Sequence, residues 1–370
     1  MTMLTARHLR FCRSLSVTSI LSLGILLLPP SSFALGTNVV TVASTVPSNG
    51  DVNPYGIASV PRTTGSLVRG NILVSNFNNS KNQQGTGTTI VQIAPNGAVS
   101  LFAQVDANTL PSPCPGGIGL TTALAVLRDG WVIVGSLPTT DGTSATAQAG
   151  CLLVLNNQGQ VVETFYGSLI NGPWDMTALD AGNTAELFVT NVLNGTIAAN
   201  GKVVHGGTVV RLVVAVSPTT MPNLQSITVV GSGFPERSDP AALVIGPTGL
   251  GLSADGSTLY VADSLSNRIA AISDPLTRNS SAGEGTTVTK GGNLNDPLGL
   301  AVGTDGNILS VNGNNGLLVV TTPGGLQIAT VLLDSTGTPP GAGALFGLVP
   351  VKGQGIYYVD DASNTLNLLH

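Results

Sequence analysis

Residues 247–272 read PTGLGLSADGSTLYVADSLSNRIAAI, and residues 297–320 read PLGLAVGTDGNILSVNGNNGLLVV. Both run through a Pro-x-Gly-Leu opening, a short alternating stretch, an Asp-Gly turn, a second stretch, an Asn/Asp-rich turn and a third apolar stretch. Period-two alternation, β-branched residues and Gly, Asn and Asp punctuation are signals of antiparallel strands. Weaker copies open at Asn53-Pro54-Tyr55-Gly56, at Gly172-Pro173-Trp174-Asp175 and at Leu345-Phe346-Gly347. A copy without the proline runs from Leu120 through Arg128-Asp129-Gly130 to Trp131. Such a unit buries its apolar face only against the next copy. The chain is therefore read as all-β and built from six repeats.

The turn after the second strand is the most regular feature: Asn76-x-x-Asn79, Asn191-x-x-Asn194, Asn312-x-x-Asn315, Asp361-x-x-Asn364, and a longer form from Asp263 to Asn267. Asn and Asp side chains cap nearby backbone N–H groups and tolerate the left-handed region, so these read as hairpin turns and not as a ring of ligands. The last repeat stops after three strands. The strand-like run 38–43 is predicted to supply the fourth and close the ring, which removes exposed edges. Stretches 78–86, 137–150, 194–206, 216–223, 234–241 and 277–288 are rich in Gly, Ser, Thr, Asn or Pro and are expected to be exposed insertions.

On the strength of LYVADSLSNRIAAI preceded by PTGLGLSADG, the repeats resemble the NHL repeat. The match is closest at Pro247 and Pro297, fair at Pro54 and Leu345, and looser at Leu120 and Pro173. The resemblance covers nearly the whole chain beyond the leader. It implies a six-bladed β-propeller with the N-terminal strand completing the last blade. It implies little chemistry, because propellers host both binding scaffolds and unrelated enzymes.

The N-terminus carries Arg7, Arg10 and Arg13, an apolar run from Val17 to Leu28, then Pro29-Pro30 and Ser32-Phe33-Ala34. That is the layout of a signal peptide over 1–34; the apolar run falls short of the ~20 residues of a membrane span. Removing it from 370 residues leaves 336 in one propeller domain, 35–370, averaging 56 per repeat. The expected location is periplasmic or secreted, with no membrane span after leader cleavage. Of three cysteines, Cys12 leaves with the leader. Cys114 and Cys151 then either form a disulfide, stabilising the fold by ~3–4 kcal/mol across their 37-residue loop, or remain two buried thiols. Losing three arginines takes the net charge from −5 to −8. Charged residues are only 9% of the chain, and this balance argues against a nucleic-acid partner.

Catalytic sets were sought in turn. Only His205 and His370 follow the leader, so a histidine-based lyase site is not available. No Gly-x-Ser-x-Gly elbow lies between a strand and a helix. Gluconolactonase-like propellers hold a divalent cation with Glu, Asn and Asp, the Glu in the first Pro-Gly opening, where this chain has Asn53-Pro54-Tyr55-Gly56. A reduced cation site from Asn53, Asp175 and Asp296 remains the alternative, with Ca²⁺ as its ion. The residues at the openings that would gather around one mouth of the channel are Asn53, Tyr55, Trp174, Asp175, Asp296 and Phe346. They are the candidate ligand-binding set for a small molecule, glycan, protein or peptide. The competing role for Trp174 is packing between blades. The leading expectation is a monomeric binding module without catalysis; the alternative is a cation-dependent hydrolase or lyase at the channel mouth.

Overall fold

A computed structural model describes residues 1–2, 36–240 and 242–370. The leader expected over 1–34 lies outside the described residues, apart from the first two. The compact unit Leu35–His370 contains six antiparallel sheets, the arrangement of a six-bladed β-propeller. Blades one to six begin with the innermost strands Val52–Ser59, Leu120–Val126, Pro173–Asp180, Pro247–Leu252, Pro297–Val302 and Leu345–Val351. Among the described residues, helix is confined to Thr196–Ala199 and a few 3₁₀ turns, and none is long and apolar enough to cross a membrane.

Ring closure is as the repeat count requires. Val39–Ser44 pairs antiparallel with Thr365–Leu369, giving the last blade its outer strand. Asn38 and His370 exchange backbone hydrogen bonds beyond the ladder. Blade three departs from the four-strand pattern. Its third and fourth strands extend over Val204–Ala215 and Asn223–Asp239, and Leu243–Ile245 adds a fifth. The stretch 234–241, expected as an exposed loop, is largely strand, with Phe234 and Glu236 fully buried.

Two local rules hold the blades together. The first is a close backbone approach at the axis. A Cβ on Gly299 would collide with the carbonyl oxygen of Phe346, and one on Gly347 with that of Tyr55. The same position in blades one and four is Gly56 and Gly249. Glycine is needed there because the neighbouring inner strand lies where a side chain would begin. Each inner strand also shifts register just after its start, as between Pro297 and Leu300 or Leu345 and Leu348. The second rule explains the Asn-ended turns. Asn267 Oδ1 accepts the N–H of Asp296 at 2.6 Å, and Asn364 Oδ1 accepts that of Asn53 at 2.7 Å. In those two places the turn of one blade latches the start of the next. Asn53 and Asp296 both have left-handed backbones (φ 61° and 57°), which their residue types tolerate.

The insertions differ from the expectation of exposure in a second way. Leu137 and Ala147 of stretch 137–150 are buried, as are Val192, Leu243 and Val244, and all join one apolar cluster with Tyr55, Trp174 and Phe346. The insertions of blades one, two and three are tied to one another: Thr139 N donates to Gly85 O at 2.9 Å, and Ser144 Oγ to Asp239 O at 2.9 Å. Together they roof part of the ring. Cys114 and Cys151 are disulfide-bonded, with Cα atoms 5.2 Å apart, directly after stretch 137–150 re-enters its blade.

Two outcomes follow. Deleting residues 39–44 should expose the edge of Thr365–Leu369, lower Tm by more than ~5 °C and promote aggregation; a melt within ~2 °C of the intact chain would exclude this closure. Gly299→Ala should destabilise by ~1–3 kcal/mol in denaturant melts, because the added methyl meets backbone that has nowhere to move.

Candidate functional site

The register shift after each blade start turns the middle residue of the opening toward the axis. In blades one, three, five and six these residues are Tyr55, Trp174, Leu298 and Phe346, and they share one buried cluster with Phe77. Tyr55 stacks on Phe346 at 3.9 Å between ring centroids and on Phe77 at 4.5 Å, with Trp174 6.2 Å away. Tyr55, Trp174 and Phe346 are each only 4% exposed. The rings form a layer across the axis. Tyr55 and Phe346 line a cavity on the opening side, whereas Ile57 and Gly347, one or two residues further along the same strands, line a cavity on the other.

The opening-side cavity, about 480 Å³, is lined by Asn53, Tyr55, Asp296 and Phe346 of the sequence-derived set. Trp174 lies within the ring layer beside it. Asp175 does not join them; it lines the cavity on the far side. The cation trio of Asn53, Asp175 and Asp296 is therefore split between two chambers. Three further charged residues line the opening-side cavity: Asp361, Arg237 and Asp239. Asp361 was concealed in a turn motif, and the other two in the expected loop 234–241. The adjacent pair Asp360-Asp361 at a turn was the one available signal, and a weak one, because Asp is an ordinary turn residue.

The electrostatics of this cavity are unusual. Burial pushes Asp361 up to about 7, with the neighbouring charge of Asp360 adding to the shift. Burial likewise pushes Asp296 up to about 6; Asp239 adds to this and Arg237 opposes it. Arg237 is held by Asp239 at 2.7 Å. The Tyr55 phenol is driven far above its ordinary range, first by burial and then by Asp361, and stays neutral. Asn53 faces that phenol, yet its Oδ1 is buried without a hydrogen bond of acceptable geometry. The cavity thus gathers an under-used amide oxygen and two carboxylates that titrate near neutrality. Among the described residues no three His, Cys, Asp or Glu side chains come together as a metal cage.

A sequence model of the SMP-30/Gluconolactonase/LRE-like region matches residues 221–339, less than half of the chain. That segment supplies Arg237, Asp239, Asn267, Asp296 and Asn314 to the cavity wall. Among solved structures, the chain is similar to a gluconolactonase from Xanthomonas campestris (13% identity, 91% of this chain and 92% of that one, TM-score 0.54). It is also similar to regucalcin, a calcium-binding protein, from Agrobacterium tumefaciens (14% identity, 89% and 93%, TM-score 0.55). At these identities the likeness carries the six-bladed fold alone. No curated protein sequence matches significantly. The family match overturns the expectation of a binding module without catalysis and favours the hydrolytic alternative.

Both raised carboxylates oppose folding at high pH. Their folded values lie above the 3.8 of a free aspartate, so the folded state prefers them protonated. That contribution is complete below about pH 4 and is lost as the pH rises through about 6 for Asp296 and about 7 for Asp361. Asp296→Asn and Asp361→Asn should each raise Tm at pH 8 and change it little at pH 4, measured by calorimetry. A gain of equal size at both pH values would show that burial of charge is not the cause.

Proposed function

We propose that the protein is a hydrolase that opens small cyclic esters in the cavity on the opening side of the ring layer, with the assistance of a divalent cation. The observation that carries this reading is the gathering around one cavity of Asn53, whose Oδ1 is buried without a hydrogen-bond partner, and of Asp296 and Asp361. The family match over 221–339 supports the same chemistry. The donors are all oxygen, which suits a hard ion such as Ca²⁺. Asn53 and Asp296 would hold it, with water completing its shell, since among the described residues no three His, Cys, Asp or Glu side chains stand close enough to make a cage. Bound there, the ion would polarise the ester carbonyl as a Lewis acid.

The remaining tasks fall to the chain itself. A general base works best with a pKa near the operating pH. Asp361, at about 7, is suited to take the proton of an attacking water. Tyr55 and Phe346 form an apolar floor that keeps bulk water from the reacting group. Arg237, fixed by Asp239, has donor hydrogens left to orient a hydroxyl or the departing oxygen. The cavity volume supports a small-molecule partner over a glycan chain or a protein. The disulfide supports an exported protein in an oxidising compartment.

Purified protein should hydrolyse a six-membered sugar lactone in CaCl₂ and lose that activity in EDTA, recovering it when Ca²⁺ is restored. Asp361→Asn should lower kcat by ~100-fold or more, and the rate should rise with pH through about 7 as the base deprotonates. Full activity in Asp361→Asn, or no lactone turnover with Ca²⁺ present, would sink the reading.

A further inference from the structure

The chamber on the far side of the ring layer has a different character. It is a cavity of about 330 Å³ bounded by all six inner strands, with aliphatic residues such as Ile57, Leu124, Leu300 and Leu348 in its wall. Its one ionisable lining residue is Asp175. That carboxylate sits at the closed end, one residue beyond Trp174 in the ring layer. The same strand then becomes progressively accessible at Thr177, Ala178 and Leu179, so the other end is open.

Asp175 occupies the position that is glycine in blades one, four, five and six. Its two oxygens accept one backbone N–H each, from Met176 at 2.8 Å and Leu250 at 3.0 Å. A carboxylate offers about four acceptor directions, so capacity remains on the cavity side. No cationic side chain pairs with it among the described residues. Yet it is only 8% exposed, and a buried charge without a counter-charge is costly. The volume lies at the lower end of the ~300–1,000 Å³ typical of ligand pockets, and its wall mixes aliphatic side chains with polar backbone of the inner strands, so that Asp175 is the one charge that can orient a guest.

We propose that this chamber is a second binding site, taking a small organic cation whose ammonium group meets Asp175 and whose remaining body fills the channel. A neutral molecule of the same shape would leave the carboxylate uncompensated. The site does not depend on chemistry at the opposite mouth. Burial holds Asp175 at about 7, with the Met176 and Leu250 N–H groups opposing the shift. The ionised form therefore grows between pH 6 and 8, and no other titratable side chain lines this cavity.

The test is calorimetric titration of the full chain with n-hexylammonium chloride and with 1-hexanol at pH 8. Hexylammonium should bind at least tenfold more tightly than hexanol, and its affinity should weaken at pH 6. Asp175→Asn should level the two ligands. Thr177→Trp, which narrows the open end without touching the carboxylate, should block both and stands in if Asp175→Asn fails to fold. Equal binding of the two ligands, or ammonium binding that survives Thr177→Trp, would overturn the proposal. Loss of ammonium binding in Asp361→Asn would place the cation at the opposite mouth and overturn it as well.

Discussion

The packing of inner strands against one another at the axis governs the rest of this molecule. Four of the six strands meet their neighbours through a glycine whose missing side chain is replaced by the next strand's carbonyl, as Gly299 meets Phe346 and Gly347 meets Tyr55. That closeness leaves no room for a side chain at these four glycines. It concentrates the bulky residues one position earlier, where Tyr55, Trp174, Leu298 and Phe346 fill the centre. A channel that would otherwise run through the ring becomes two blind chambers. Each then acquires its own chemistry: several charged side chains on one side, a single carboxylate among aliphatic side chains and strand backbone on the other.

The division has an energetic side. Apolar burial and a continuous ring of blades supply stability, and the carboxylates of Asp175, Asp296 and Asp361 detract from it by resisting ionisation. Residues that oppose folding and persist in cavities are candidates for use, because perturbed ionisation gathers at functional sites as well as in structural networks. The insertions add a second layer. Their hydrogen bonds to one another and the disulfide at the base of one of them fix a roof that packs Leu137 into the cluster of Trp174. The working cavity is thereby displaced away from blade two and walled by the other five.

Much of the architecture was legible in the sequence because it repeats. The Pro-x-Gly openings, the Asp-Gly turns and the three-strand ending at Leu369 together required six blades and a borrowed strand. The site was less legible, for geometric reasons. Trp174 and Asp175 are adjacent in the chain, but the register shift at their strand start sends one into the ring layer and the other beyond it. Nothing in the spacing of residues marks such a shift. Asp361 was hidden because its turn had a sufficient structural explanation, and Arg237 because a Gly/Ser/Pro-rich context suggested a loop where a long strand runs. The functional class was misjudged for a related reason. The first Pro-Gly opening carries Asn53-Pro54-Tyr55-Gly56 and no glutamate, while Asp361, which joins Asn53 and Asp296 at the cavity, lies in a turn of the last repeat.

The pairing of Val39–Ser44 with Thr365–Leu369 also sets an order of events. Blade six is stitched from segments more than 300 residues apart, and such distant contacts form late and slowly. While the chain is being synthesised, five blades can assemble but the ring cannot shut until its last strand has been made. The growing polypeptide therefore stays an open arc with two unpaired edges. An arc of that kind is easier to keep unfolded, or to pass through a narrow pore, than a closed ring. It is also vulnerable to pairing with another unfinished copy.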